Sequence, residues 1–218
     1  MKISSRIRKI FEEIFDSEEQ KAIQRIIQAF SQPGNKRKVA RLIMRGMVPL
    51  RPKRPLYYLN YEVKFFPMRT RYVVEQSGSY LDLLVKELRY EKQGQYRKTP
   101  LGRNIDALFE KSDDDLKLLL RQLKLFNEIA YVPSKHEYGP PYENKHFFNS
   151  LEAVIIVLAA IKLGEELKAK SVYIKKLCQD LVLPGQGMIY GDWKREDSYG
   201  EPFDFKKRLL KLTDGVES

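Results

Sequence analysis

The chain has 218 residues, 43% apolar and 32% charged, with one cysteine and a net charge of +11, enough for a sizeable core in one large domain or two small ones. The lone Cys178 excludes an internal disulfide, so the fold must rest on packing, as in cytoplasmic proteins. The most apolar run, 153–163, is cut by Lys162 and falls short of the roughly 20 residues that cross a bilayer, and "MKISSRIRKIFEEIF" is acidic where a secretory leader would be apolar.

In chain order, Ile7, Ile10, Phe11 and Ile14, then Ile23, Ile26, Ile27 and Phe30, recur at three- and four-residue steps, which predicts amphipathic helices. Asp16 and Ser17, followed by Glu18 to Gln20, predict a break near residue 16 and a capped second helix. "SQPGN" at 31–35 ends it. A third helix over 36–47 carries Lys36, Arg37, Lys38, Arg41 and Arg45, with Val39, Leu42, Ile43 and Met44 available for burial. "VPLRPKRP" at 48–55, with Arg51, Lys53 and Arg54, has too many prolines for a helix and reads as an extended linker.

A long helix is expected over 68–93, with Tyr72, Val73, Gln76, Tyr80, Leu83, Leu84, Glu87 and Leu88 on its buried face, closed by "EKQGQYRKTP". A short one follows with Thr99 as cap and Pro100 in the first position. Ser112 or Asp113 is expected to cap the next helix; Asp113 to Asp115 resemble an acidic site, but acids in a first turn face the positive end of the helix dipole, so capping is the expected role. Leu116, Leu119, Leu120, Leu123 and Phe126 form the next buried stripe. The helix over 150–170 is apolar around its girth and belongs at the centre of a bundle. A further helix is expected at 171–183, and a short basic one at 203–212 closes a turn-rich tail containing Trp193. The expected fold is therefore all-α: an antiparallel helical bundle over 55–183, an N-terminal helical extension over 1–54 and an irregular tail over 184–218.

Residues 1–54 hold 14 Lys and Arg against 5 Asp and Glu, whereas the remainder holds 26 against 24. A localised positive field attracts polyanions. Both histidines, His136 and His146, fall in "SKHEYGPPYENKHFF" between two helices. His136 could move a proton at a phosphodiester, Lys135 could offset developing charge, Asn127 could orient either group, and Tyr131, Tyr138, Tyr142, Phe147 and Phe148 offer faces for bases. The same prolines and aromatics also suit a connection that seals the end of a bundle. Two histidines without a cysteine cluster do not reach a zinc ligand count, and "PGQG" at 184–187 lacks the lysine of a phosphate loop, so neither a metal nor a cofactor is expected.

From about 68 to 170 the order of features resembles the HEPN superfamily, the higher eukaryote and prokaryote nucleotide-binding helical domains. "TPLGRNIDAL" at 99–108 is similar to the start of that family's second helix, and "LKLFNEIAYVPSKHEYG" at 123–139 to its polar loop. The resemblance implies metal-independent RNA cleavage in a dimer, through an arginine, a polar neighbour and a histidine four to six residues later. Only His136 carries over: Asn127 stands nine residues before it, and no arginine lies between Arg121 and His136. The expectation is a non-catalytic HEPN-like module that binds RNA or a partner protein, alone or as a homodimer. Its electrostatic foot would be Lys36, Arg37, Lys38, Arg41, Arg45, Arg51, Lys53 and Arg54. The alternatives are a ribonuclease using His136 and a scaffold subunit gripping neighbours through its tail, 184–218, and its arm, 1–54.

Overall fold

The computed structural model describes residues 3–47, 70–94, 99–135, 148–171, 174 and 204–217, and among these it is helical with no strand. The helices are α1 (Ser5–Ile14), α2 (Ser17–Ser31), α3 (Lys36–Met47), α4 (Thr70–Gln93), α5 (Leu101–Phe109) and α6 (Asp114–Phe126). A π-turn over Asn127–Tyr131 continues α6 into α7 (Val132–Lys135), and α8 (Ser150–Ala169) and α9 (Phe205–Glu217) complete the set. The protein is an all-α bundle. The breaks expected near 54 and 183 fall outside the described residues, as does the helix expected at 171–183 apart from residues 171 and 174.

Local chemistry sets the helix starts. Asp16 accepts from the N–H groups of Glu18 and Glu19 while the Glu19 carboxylate accepts from the Asp16 N–H, so the break after α1 is a complete capping box. Asp113 Oδ1 accepts from Leu116 N–H at 2.8 Å, and the acids behind it lie in the first turn of α6, in the capping role their position predicts. Asn149 and Glu152 form a second capping box at α8, and Glu152 Oε1 also accepts from the Ser4 N–H at 2.9 Å, fastening the start of α1 to the start of α8. Gly94 takes the positive φ, 64°, that ends α4, and Gly34 takes one of 82° in the turn between α2 and α3.

Helix α8 is the axle. It is buried on all sides from Leu151 to Ile161 and packs against α1, α2, α3, α4, α6 and α9, as a helix without a polar face requires. The N-terminal extension lies directly on the bundle, with α1 on α6 and α8, and its buried residues join the same apolar cluster as those of α4 to α8. Helix α9 packs on α2 and α3, and its Phe205 stacks on Phe15, the C-cap of α1, with centroids 6.1 Å apart. It begins two residues later than the sequence suggests and runs to Glu217, its first turn tied to Asp204 through the Lys207 N–H.

Two local expectations are corrected. Pro100, not Thr99, stands at the N-cap of α5, and no side chain caps that helix, because the Thr99 hydroxyl is drawn into a buried network with Asn104 and Arg89. The buried face of α4 runs through Val73, Val74, Ser77, Leu81, Leu84, Val85 and Leu88, leaving Gln76, Leu83 and Glu87 half-exposed. The face is rotated because α4 is gripped on one side by α8 and on another by α5 and the π-turn.

Candidate nucleic-acid interface

Helix α3 presents cations at the end where a helix least tolerates them. Val39, Ala40, Ile43 and Met47 are buried against α2, α8 and α9 and fix the rotation of the helix. Lys36, Arg37 and Lys38, in its first turn, are then exposed, with no acidic residue in that turn and no ion pair to them among the described residues. First-turn amides already carry partial positive charge, so three neighbouring cations raise the local potential at a cost to the helix, and an anion would relieve it. Arg41 and Arg45 lie on the same helix, but their side chains, like Arg51, Lys53 and Arg54, lie outside the described residues.

The opposite charge sign prevails at the start of α2. Lys206 of α9 meets Asp16 at 3.1 Å and Glu18 at 2.6 Å, and these two carboxylates hold the ammonium well above its ordinary pKa. Asp16 is held below the usual carboxylate range, chiefly by the Glu19 N–H, with Lys206 and the Glu18 N–H adding to it against the opposing effect of burial. Beneath them Lys162 of α8 pairs with the buried Glu19 at 2.6 Å and lies over the Phe15 ring. These cations are committed to holding α2, α8 and α9 together.

Of the three residues placed at the loop between α7 and α8, His136 lies outside the described residues and Lys135 is described only as the backbone end of α7. Asn127 opens the π-turn, whose hydrogen bond runs from the Val132 N–H to the Asn127 carbonyl. Its side chain is only 8% exposed and lies beside α5: its Nδ2 is 3.3 Å from where a Cβ on Gly102 would stand. Tyr131 is buried against Gly78 and the partly buried Phe148 packs on the core, so neither presents an open ring to a base.

Sequence reasoning passed over a buried polar cluster between α4 and α5. Arg89, 8% exposed, donates from Nη1 to Asn104 Oδ1 at 2.7 Å and to Thr99 Oγ1 at 3.2 Å, and from Nε to Gln93 Oε1 at 3.2 Å. Thr99 donates to the same Asn104 oxygen, the Asn104 amide donates to the Thr99 carbonyl at 2.8 Å, and Gln93 donates to the Ala107 carbonyl. No carboxylate faces this guanidinium among the described residues. The available signal was register: Arg89 follows Leu81 and Val85 at four-residue steps, and Asn104 precedes the buried Ile105 and Leu108.

Among the described residues no group of three or more His, Cys, Asp or Glu could hold a metal ion, and no helix is long and apolar enough to cross a membrane. No family model, curated protein or solved structure matches the chain.

Proposed function

We propose that this chain is a non-catalytic HEPN-like helical module that binds single-stranded RNA in the cytoplasm, with the first turn of α3 as its electrostatic contact. The observation that carries the reading is the exposed trio Lys36, Arg37 and Lys38, held outward by the buried side of α3 at a helix end that disfavours cations. The charge of the chain supports it, since nearly all of the positive excess falls in residues 1–54. The HEPN likeness is supported by helix order: a long α4, a short α5 opening just after "TP", a third helical run from Asp114 to Lys135, and an apolar α8 that pairs with α4. A partner protein, including a second copy of the chain, would meet the same module through other faces.

The test is fluorescence anisotropy of a labelled single-stranded RNA with the full chain over a range of salt concentrations. Binding should weaken as salt rises, and the variant with Lys36, Arg37 and Lys38 all changed to Ala should bind more weakly regardless of RNA sequence. Equal retention by the variant and the parent chain overturns the reading.

A further inference from the structure

Helix α3, which carries the exposed trio, does not hold itself in place. Its 12 residues are near the length at which a helix in water is marginal, its first turn bears three cations, and Gly46 stands one residue from its end. Its described side chains form no hydrogen bond or ion pair with another helix, so among the described residues it is fixed by the apolar packing of Val39, Ala40, Ile43 and Met47. More of α3 packs on α9 than on α8 or on α2, the helix that precedes it in the chain. The helix bearing the contact thus rests on one far along the sequence.

Helix α9 is itself fastened at its start. Phe205 stacks on Phe15, Lys206 bridges Asp16 and Glu18, and Asp204 accepts from the Lys207 N–H. Phe205, Leu209 and Leu212 are its buried apolar residues, and Val216 packs partly on the core. Helix α2, which receives Lys206, is tied to the central α8 through the buried Glu19–Lys162 pair. The attachments therefore run chiefly in series, from α8 to α2, from α2 to α9 and from α9 to α3. In such a series the last member opens when the one before it lets go, at a free energy below that of the core.

We propose that α9 is the positioning element of the α3 contact: it holds α3 against the bundle so that Lys36, Arg37 and Lys38 face a polyanion as a fixed array, with Lys206 as the catch at its start. Helices α3 and α9 then open together as one unit, without the rest of the bundle. That coupling stands on packing and needs no ligand; only its consequence for RNA rests on the function proposed above.

The experiment is amide hydrogen exchange on the isotopically labelled full chain, read by NMR. In the parent chain the α3 and α9 amides should exchange at one common opening free energy, below that of the α4 and α8 amides. Leu209→Ala should speed exchange in α3 by at least about tenfold. Lys206→Glu should do so by at least about threefold, since a carboxylate in that first turn favours α9 itself and weakens only the dock, and Lys206→Arg should keep the parent rate. Asn104→Ala, which weakens the distant contact of α4 with α5, should speed exchange in α8 and leave α3 unchanged. Acceleration of α3 by Asn104→Ala, or none by Leu209→Ala, overturns the shared opening.

The consequence for RNA is read with Leu209→Ser and Leu212→Ser together in the full chain, a pair that undocks α9 without altering charge. Affinity for a labelled single-stranded RNA should fall by at least about fivefold although the trio is intact, while α4 and α8 keep their protection. Undiminished affinity in that variant overturns the positioning role. A parent chain whose affinity does not depend on Lys36, Arg37 and Lys38 defeats the function proposed above instead, and the exchange rates still decide whether α9 holds α3.

Discussion

Tyr80 of α4 fills the space that any side chain at Gly164 of α8 would need: a Cβ on Gly164 would overlap the ring carbons and hydroxyl of Tyr80. The same arrangement recurs where Tyr131 of the π-turn lies on Gly78 of α4. Both glycines sit inside helices, where alanine alone would gain about 1 kcal/mol in propensity. Steric overlap with a ring anchored in the core reverses the sign. Gly164→Ala and Gly78→Ala should each lower stability in urea titration by about 1–3 kcal/mol. Gly215→Ala, which meets nothing within 4 Å, should leave stability unchanged or raise it by up to about 1 kcal/mol.

The buried pair Glu19–Lys162 offers a double-mutant test. Glu19→Gln preserves the capping box but leaves Lys162 facing a neutral amide, and Lys162→Met leaves a buried carboxylate without its cation. Each single change should cost about 3 kcal/mol, less to the extent that water reaches Lys162. The double variant should be more stable than the sum of the two predicts, as read by urea midpoints.

Two kinds of carboxylate give opposite pH dependence. The folded pKa of Asp16 is depressed, so its contribution is complete above the unfolded value and is lost as pH falls through the folded one. Asp16→Ala should therefore cost about 1 kcal/mol at pH 7, and the deficit should shrink below about pH 4. The folded pKa of Glu165 is raised, chiefly by burial, with Lys168 and Arg208 opposing. Its contribution is present in acid and lost as pH rises through the raised value, so Glu165→Gln should gain stability relative to the parent chain between pH 4.5 and 7. Urea midpoints measured from about pH 3 to about pH 7 check both signs.

Removing Asn104 should strand the Arg89 guanidinium. Asn104→Ala deletes the shortest of its hydrogen bonds along with the partner of Thr99, and should cost about 2–3 kcal/mol in thermal or urea unfolding. Asn104→Asp places a carboxylate against the charge and should recover most of that loss.

Changing Lys36, Arg37 and Lys38 to Ala should alter the salt dependence of RNA binding by a countable amount. Each phosphate contact on a single strand contributes about 0.7 to the slope of log K against log salt, so the slope should flatten by about 2 if all three cations engage. An unchanged slope would place the contact elsewhere on the chain.

The parts of the fold legible in the sequence were those written in neighbouring residues. Ile7, Ile10, Phe11 and Ile14 announced α1 by spacing, Asp16 with Glu19 and Asp113 announced helix starts, and the girth of α8 announced its central place. What was hidden depends on partners distant in sequence. The face of α4 turns because two different neighbours press on it, Thr99 leaves its capping role because Arg89 and Asn104 claim its hydroxyl, and the extra residue of the π-turn has no signature in composition. For the candidate interface, charge and the buried stripe of α3 were enough to point Lys36, Arg37 and Lys38 outward.

The hydrogen bond from Ser4 to Glu152 spans 148 residues of sequence. On a ribosome adding about 5–20 residues per second, the nascent N-terminal helix must wait on the order of 10 seconds for its docking surface to be synthesised. During that interval Ile7, Ile10, Phe11 and Ile14 are uncovered, and a holding chaperone that recognises short apolar segments would find its target there.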